Sequence, residues 1–384
     1  MASLSAEERQ LLHDSLNEFL AKNYSFERWK ALARGPEMEG FSRSEWARYA
    51  ELGWLGVAIP ESVGGAGGGM TELGIVMAAA GRHMVLEPLL GTIVLGAGAI
   101  ELTGTVAQRE ALLPQILAGS QLLAFCHSEP DAGYARDWVR TVARPDGEDF
   151  VIEGEKSFAL GAHAADILIV SARVGSQRGP VRLFLVPRTA SGVRLNAAPS
   201  LDGRLGATVS LAGARVGADG KLGDGEEDQS GDIDRLIDRG AIAVSAEACG
   251  AMVAVTQATV DYLKTRQQFG QPLAKFQVLQ HRLVDMNVSS EEARAVVHAA
   301  LQALDDTAPD AQRAIWAAKV QVARSARFVG SQAIQLHGGM GMTDELAIGH
   351  YYKRLTVCET MFGDGEWYLK QIGAAAAGSR SAKR

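Results

Sequence analysis

Cysteine is scarce in this chain of 384 residues. Only Cys126, Cys249 and Cys358 occur, and no Cys-x-x-Cys pair. An odd set of scattered thiols argues against a disulfide framework, and the closely spaced ligands of a structural zinc are missing. Positive charge is also in deficit: the net charge is -7, which argues against nucleic acid or an anionic membrane as the main partner. No uninterrupted apolar run reaches the ~20 residues of a membrane-spanning helix. The first ten residues are polar and acidic rather than basic and then apolar. A soluble, cytoplasmic protein is expected. Gly-x-Gly-x-x-Gly, the phosphate-binding Gly-x-x-x-x-Gly-Lys-Ser/Thr, Gly-x-Ser-x-Gly and His-Glu-x-x-His are all absent. That removes the usual Rossmann, P-loop, α/β-hydrolase and zinc-protease signatures. His281, His298 and His350 lie in no catalytic pattern, and each reads as a surface or packing residue.

What is present is length enough for two or three domains and abundant alanine, which favours helix. Residues 1–119 read as helical. Ser5-Ala6-Glu7-Glu8 and Ser42-Arg43-Ser44-Glu45 are capping-box patterns, and Leu12, Leu16, Phe19 and Leu20 recur at helical spacing. Gly64 to Gly69 must be a loop, since five of its six residues are glycine. Residues 120–231 change character. Short β-prone runs (Leu122 to Cys126, Trp138 to Val142, Phe150 to Ile152, Ile167 to Val170, Val181 to Val186, Thr208 to Leu211) alternate with turn residues, which predicts an antiparallel β domain. Gly217 to Asp232, acidic and glycine-rich, reads as an exposed linker. Residues 232–384 are helical again. Phe276, Leu279, Leu283 and Met286 form one stripe, Ala293 to Leu304 continue it, and Ala318, Val322, Ala326, Val329, Ala333 and Leu336 form another. Long amphipathic helices with short connections predict an antiparallel four-helix bundle.

Two segments of that bundle stand out. One is Thr265-Arg266-Gln267-Gln268-Phe269-Gly270-Gln271-Pro272-Leu273, followed by Phe276-Gln277 and Gln280-His281. The other is Gln335-Leu336-His337-Gly338-Gly339-Met340-Gly341-Met342. Arg266 offers a planar cationic fork suited to a pyrophosphate. Phe269 offers an apolar face, and Gly338 and Gly339 permit close approach to a phosphate or ribose. The pair of segments, the helical–β–helical order, and Ser128-Glu129-Pro130 with Gly154-Glu155-Lys156 in the β domain together resemble the acyl-CoA dehydrogenase family over nearly the whole chain. The resemblance implies FAD bound across a subunit interface by Arg266, Phe269, Gln335, Gly338 and Gly339. It also implies a flavin ring held at Phe125-Cys126-His127-Ser128. It implies α,β-dehydrogenation of an acyl-CoA, with the α-proton taken by a carboxylate, a β-hydride passed to the flavin, and electrons leaving through an electron-transferring flavoprotein.

The chain departs from the family at telling positions. The usual C-terminal base falls on Phe362, with Glu366 one turn on, and an alternative base position falls on Gly240. Glu247, two turns later on the same helix face and roughly 10 Å along, stands alone among Val244, Ser245, Ala246, Ala248, Cys249 and Gly250. A carboxylate there is poorly solvated, a setting suited to a general base for carbon acids. It would equally suit a buried ion pair with an arginine such as Arg282 or Arg324, so both readings stand. Phe158, Leu160 and Tyr134 replace the family's Trp, Thr and Ser beside the flavin. This set resembles the small subunit of pimeloyl-CoA dehydrogenase and related two-subunit bacterial enzymes. It implies either a catalytic subunit or a silent partner that completes the FAD site of a paralogue, in a homo-oligomer or heterotetramer.

Overall fold

The computed structural model describes residues 4–34 and 40–381. Six helices come first: α1 (Ala6–Asn23), α2 (Phe26–Arg34), α3 (Arg43–Glu51), α4 (Met70–Arg82), α5 (Ala97–Thr103) and α6 (Val106–Leu117). Seven strands follow: β1 (Leu123–Cys126), β2 (Val142–Asp146), β3 (Asp149–Leu160), β4 (Ile167–Val174), β5 (Val181–Pro187), β6 (Val193–Pro199) and β7 (Leu205–Val216). The rest is α7 (Ser230–Thr265), a small hairpin of β8 (Gln267–Gln268) and β9 (Gln271–Pro272), α8 (Gln277–Asp305), α9 (Ala311–His337), α10 (Ala347–Thr360) and α11 (Gly365–Ser381). Two compact units form, and they do not follow chain order. One holds Lys30–Gly69 and Leu86–Gly240; the other holds Leu4–Trp29, Met70–Val85 and the chain from Ala241 onward.

In the first unit the strands make one sheet in the order β1-β4-β2-β3-β7-β6, with β5 on β4. Pairings β2–β3, β3–β7, β4–β5 and β6–β7 are antiparallel as expected, but β1–β4 and β2–β4 are parallel. The alternation signal sees only which face is buried, not strand direction. Trp138 to Thr141 is not strand, and β6, mostly exposed, was not visible as a strand pattern. The acidic linker has its longest exposed run at 224–228, with 218, 219 and 231 also exposed. Its flanks are tied down: Arg182 Nη2 donates to Leu222 O (3.1 Å), and the Gln229 side chain accepts from Leu183 N (2.8 Å) and donates to Leu222 O (3.0 Å).

In the second unit the α9 stripe is buried as its spacing predicts. On α8 only part of the predicted stripe is buried, Met286 and the stretch from Ala293. Val278, Val284 and Val288 leave a second, apolar face in the open. Asp305, at the end of α8, accepts from Met70 N (2.6 Å) and from Thr71 N (2.9 Å) and Oγ1 (2.5 Å), so it caps α4 across the fold. The Ser5 capping box is complete, and Ser42 accepts from Glu45 N. The middle of α7 is nearly all interior: Ala241, Ile242, Ala243, Val244, Ala248, Ala251, Met252 and Val255 are fully buried. That helix is long and apolar enough to cross a membrane by length and composition alone, but most of the stretch lies inside the fold.

Helices α4 and α7 touch backbone to backbone. A Cβ on Gly81 would sit 1.8 Å from Glu247 O, and one on Gly250 would sit 1.8 Å from Ala78 O. Gly250→Ala must therefore push the helices apart. It is expected to cost at least ~1–3 kcal/mol, the scale of core overpacking. Gly373→Ala on α11, with open space around it, is expected to be neutral or stabilising. Chemical denaturation of the two variants checks the contrast.

Candidate cofactor and active site

Segments about 70 residues apart in the chain meet in the second unit around a groove of about 650 Å³, lined by Tyr262, Arg266, Gln335, Gly338, Gly339 and, on α8, Arg282. Arg266 follows the last turn of α7, where its amide donates to Tyr262 O (2.8 Å) and its carbonyl accepts from Leu273 N (2.9 Å). Its guanidinium is exposed and takes no acceptor among the described residues. The groove floor is a stack of the Tyr262 ring on His337, 4.3 Å between centroids. His337 Nδ1 turns back to Ala333 O (2.8 Å), and burial pushes its ring below the ordinary range despite that bond. Gly338, at φ 59° and ψ -140°, adopts a conformation open to glycine alone, and nothing lies within 4 Å of a Cβ built on Gly338 or Gly339. The backbone there is bare and reachable.

The β8–β9 hairpin turns through Phe269 and Gly270, both at positive φ (55° and 81°). Hairpins of two residues favour such turns, but Asn or Asp normally fills the first place. Phe269 is instead held there with 88% of its surface exposed, touching Phe276 edge-on at 6.0 Å between centroids. A large ring offered outward on strained backbone has no folding rationale within one chain.

Of the β-domain candidates, Phe125 is half-buried on β1 and Ser128 is exposed. His127 is different. Its Nδ1 pairs with Ser171 Oγ (2.9 Å) and its Nε2 with Arg136 O (3.0 Å), so both ring nitrogens are engaged inside the unit. The ring serves the interior of the unit. Beside it, buried Lys156 donates to Glu129 Oε1 (2.6 Å), Ser171 Oγ (3.0 Å) and His127 O (3.3 Å). Burial pushes the Glu129 carboxyl up, yet Lys156, Thr141 and the Arg140 amide together hold it below the usual carboxylate range. The pairing of β3 with β7 shifts register between Lys156 and Ala159, and Phe158 stands out from this bulge, 40% exposed.

Glu247 is 1% exposed, and its Oε1 accepts from Arg354 Nη1 at 2.6 Å. Arg354, on α10 and also 1% exposed, donates from the same nitrogen to Val85 O (3.1 Å). The arginine that meets Glu247 is thus neither Arg282 nor Arg324, both exposed. It is a residue 107 positions away, in a stretch with no motif to announce it. Phe362 is half-buried at φ 61°, and its carbonyl accepts from Tyr368 Oη (2.8 Å). Glu366 is exposed, Gly240 is buried on α7, and His350 packs on Phe26 and Trp29. Among the described residues no group of side chains could hold a metal.

Three family descriptions match successive parts of the chain: acyl-CoA dehydrogenase, N-terminal domain (residues 6–120), middle domain (124–210) and C-terminal domain (232–377). Acyl-CoA dehydrogenase FadE12 of Mycobacterium tuberculosis is 33% identical, with 90% of this chain and 89% of that protein covered. The caffeyl-CoA reductase-Etf complex subunit CarC of Acetobacterium woodii is 25% identical over 91% of this chain and 92% of its own. A solved structure of the Tcur3481-Tcur3483 steroid ACAD superposes with a TM-score of 0.87 at 28% identity, covering 98% of this chain and 99% of that one. The chain belongs to the acyl-CoA dehydrogenase family, oxidoreductases that act on CH–CH groups. FAD is the cofactor this implies, and the groove fits it: a free guanidinium, an exposed amide side chain and bare glycine backbone converge on one open trough.

The buried His127 makes stability depend on pH. Burial, helped by the Lys156 ammonium, pushes its ring down from 6.5 to about 3. Between those values the unfolded chain binds a proton that the folded chain refuses, so stability falls as pH drops through that window. The limit is roughly 1.4 kcal/mol per pH unit. Thermal midpoints followed from pH 7 to pH 4 are expected to decline, and more shallowly in His127→Gln.

Proposed function

We propose that the chain is a subunit of a FAD-dependent enzyme that introduces an α,β double bond into an acyl-CoA thioester and passes the electrons to an electron-transferring flavoprotein. The convergence of Arg266, Gln335, Gly338 and Gly339 on one groove carries this reading. Bound FAD would supply the two-electron acceptor. Arg266 would meet its pyrophosphate with a charge-assisted fork. Gln335 and the bare backbone at Gly338 and Gly339 would take hydroxyl or phosphate oxygens. Phe125 and Ser128 would serve the ring end from β1 and the residues after it.

Phe269 supports a site shared between subunits. Its exposed ring and the open apolar face of Val278, Val284 and Val288 suit a homo-oligomer or a heterotetramer with a paralogous subunit. The paired name of the steroid ACAD structure supports a two-chain assembly, and the CarC name an electron-transferring flavoprotein. The acidic balance and the burial of α7 support a soluble, cytoplasmic enzyme.

For proton abstraction, Glu247 is the carboxylate we assign. The role needs the Arg354 contact to open toward substrate. A second reading rests on that same contact and on Phe362: a carboxylate closed by a buried arginine, with an aromatic ring at the usual base position, fits a silent partner that completes the FAD site of an active paralogue. Purification alone and with the paralogue, followed by flavin absorbance on adding acyl-CoA, separates the two. Under the first reading Glu247→Gln keeps FAD and slows flavin reduction by ~10²-fold or more. Under the second it leaves reduction unchanged, or it destabilises the fold by stranding Arg354, at a cost of ~3–5 kcal/mol.

Arg266→Ala is expected to weaken FAD retention at least ~10-fold, since a charge-assisted contact is lost. Flavin content after gel filtration at rising salt reads this directly. Wild-type retention in the variant would refute the groove assignment.

A further inference from the structure

Lys319 is a lysine in the wrong place. It sits in the middle of α9 with 1% of its surface exposed, among Ala318, Val322 and Ala323. Burying an ammonium is costly unless every donor finds an acceptor. Among the described residues no carboxylate is hydrogen-bonded to it. All three donors go instead to main-chain carbonyls: Cys358 O (3.0 Å), Glu359 O (3.1 Å) and Met361 O (2.8 Å). These acceptors are the last carbonyls of α10 and the residue after it, which have no helical partner and form the negative end of the helix dipole. Burial pushes the ammonium down to about 8, with Cys358, Glu359 and Asp364 opposing.

The chain beyond this cap is strained. Phe362 lies at φ 61° and Gly363 at φ 119°. A bulky residue in the left-handed region persists only where its surroundings impose it. Here they do so from both sides. Lys319 holds the residue before it. Tyr368 Oη donates to Phe362 O (2.8 Å), and the Lys319 ammonium lies 5.9 Å from the centre of the Tyr368 ring. A Cβ on Gly363 would sit 2.8 Å from the Tyr368 ring and 2.9 Å from Trp367. Asp364 Oδ1 accepts from Trp367 N (2.8 Å) and starts α11. An ordinary helix ending would need only glycine or asparagine after α10. The turn also borders a cleft of about 740 Å³ that takes in Arg324, Phe328, Thr360, Asp364 and Glu366.

We propose that Lys319 is a positioning residue: by capping α10 from inside the bundle it fixes the Met361–Asp364 turn, so that Phe362 forms one wall of the acyl-CoA site. The role toward acyl-CoA rests on the dehydrogenase reading above. On this account Phe362 accepts its strained backbone because its ring must be in one place, and Lys319 and Tyr368 keep it there.

The test uses the purified FAD-bound assembly and two variants. Lys319→Met keeps length and apolarity and removes the three donors. It is expected to speed amide exchange at least ~10-fold in the segment 358–364 while exchange in α8 stays unchanged. It is also expected to raise the acyl-CoA concentration that half-saturates the flavin absorbance change ~10-fold. Phe362→Gly relieves the strain with Lys319 intact. It is expected to match or exceed the wild-type thermal midpoint, yet to show the same weakened acyl-CoA response. The proposal is overturned if Lys319→Met leaves the segment's exchange unchanged or loosens the whole bundle alike. It is also overturned if Phe362→Gly keeps the wild-type response. A wild-type assembly that holds FAD but answers no acyl-CoA sinks the dehydrogenase reading instead, and the exchange comparison still decides whether Lys319 holds the turn.

Discussion

The ion pair of Glu247 and Arg354 is the contact on which the second unit hangs. It joins α7 to α10, and the same guanidinium reaches the carbonyl of Val85, just beyond α4. The helices around it are lined with alanine and glycine and approach one another to backbone contact at Gly81 and Gly250. Such surfaces slide easily, because small side chains interlock little. A buried charge pair does not slide: displacing either partner strands the other, at ~3–5 kcal/mol out of a total stability of ~5–15 kcal/mol. The pair therefore fixes the register of helices that apolar packing alone would leave loosely specified.

From that fixed frame α10 is secured along its length. The His350 ring packs near its start, the Arg354 guanidinium holds its middle, and the Lys319 ammonium closes its end. On its outer side Glu359 meets Arg327. The Met361–Asp364 turn inherits this rigidity. Phe362 and Phe269 are the chain's two phenylalanines at positive φ, and both lie in the bundle unit in turns whose neighbours, Thr360 and Asp364 in one and Gln268 in the other, line an open cleft or groove. Folding does not place aromatic rings on strained turns without return. Shared backbone strain is thus a physical reason, independent of any motif, to look for the functional surface at these two corners.

Much of the fold was legible because it rests on period. The α9 stripe, the capping box at Ser5 and the glycine loop each follow from local rules. So did the groove, since Arg266 and the Gly338-Gly339 pair belong to compact motifs. What escaped was long-range or directional. The parallel pairings of β1 and β2 with β4 leave no mark in alternation. Gln229 and Arg182 pin a linker that composition marks as exposed. His127 lies just past β1 in a stretch that reads as outward-facing, yet its ring is bonded to Ser171 and the Arg136 carbonyl inside the unit. Arg354 and Lys319 were invisible for one reason: a cation in an amphipathic helix reads as its solvent face, and only the fold reveals which cations point inward.

That last point bears on how the chain uses its charges. Arg266 is a cation left free at the surface; Lys319 and Arg354 are cations spent entirely inside. The free one suits a ligand phosphate, because nothing within the described chain competes for it. The buried ones suit geometry, because their donors are committed to carbonyls and a carboxylate that define helix ends and crossings. Glu247 falls between the classes. Its carboxylate is committed to Arg354, yet it is the only acid on the stretch of α7 from Ala241 to Thr259. If the chain takes protons from substrate, the same pair that sets the bundle's register must also loosen in each turnover. A structure that stakes its packing on a contact gains by keeping that contact closed. On that physical ground the silent-partner reading draws strength from the fold itself as well as from the missing C-terminal carboxylate.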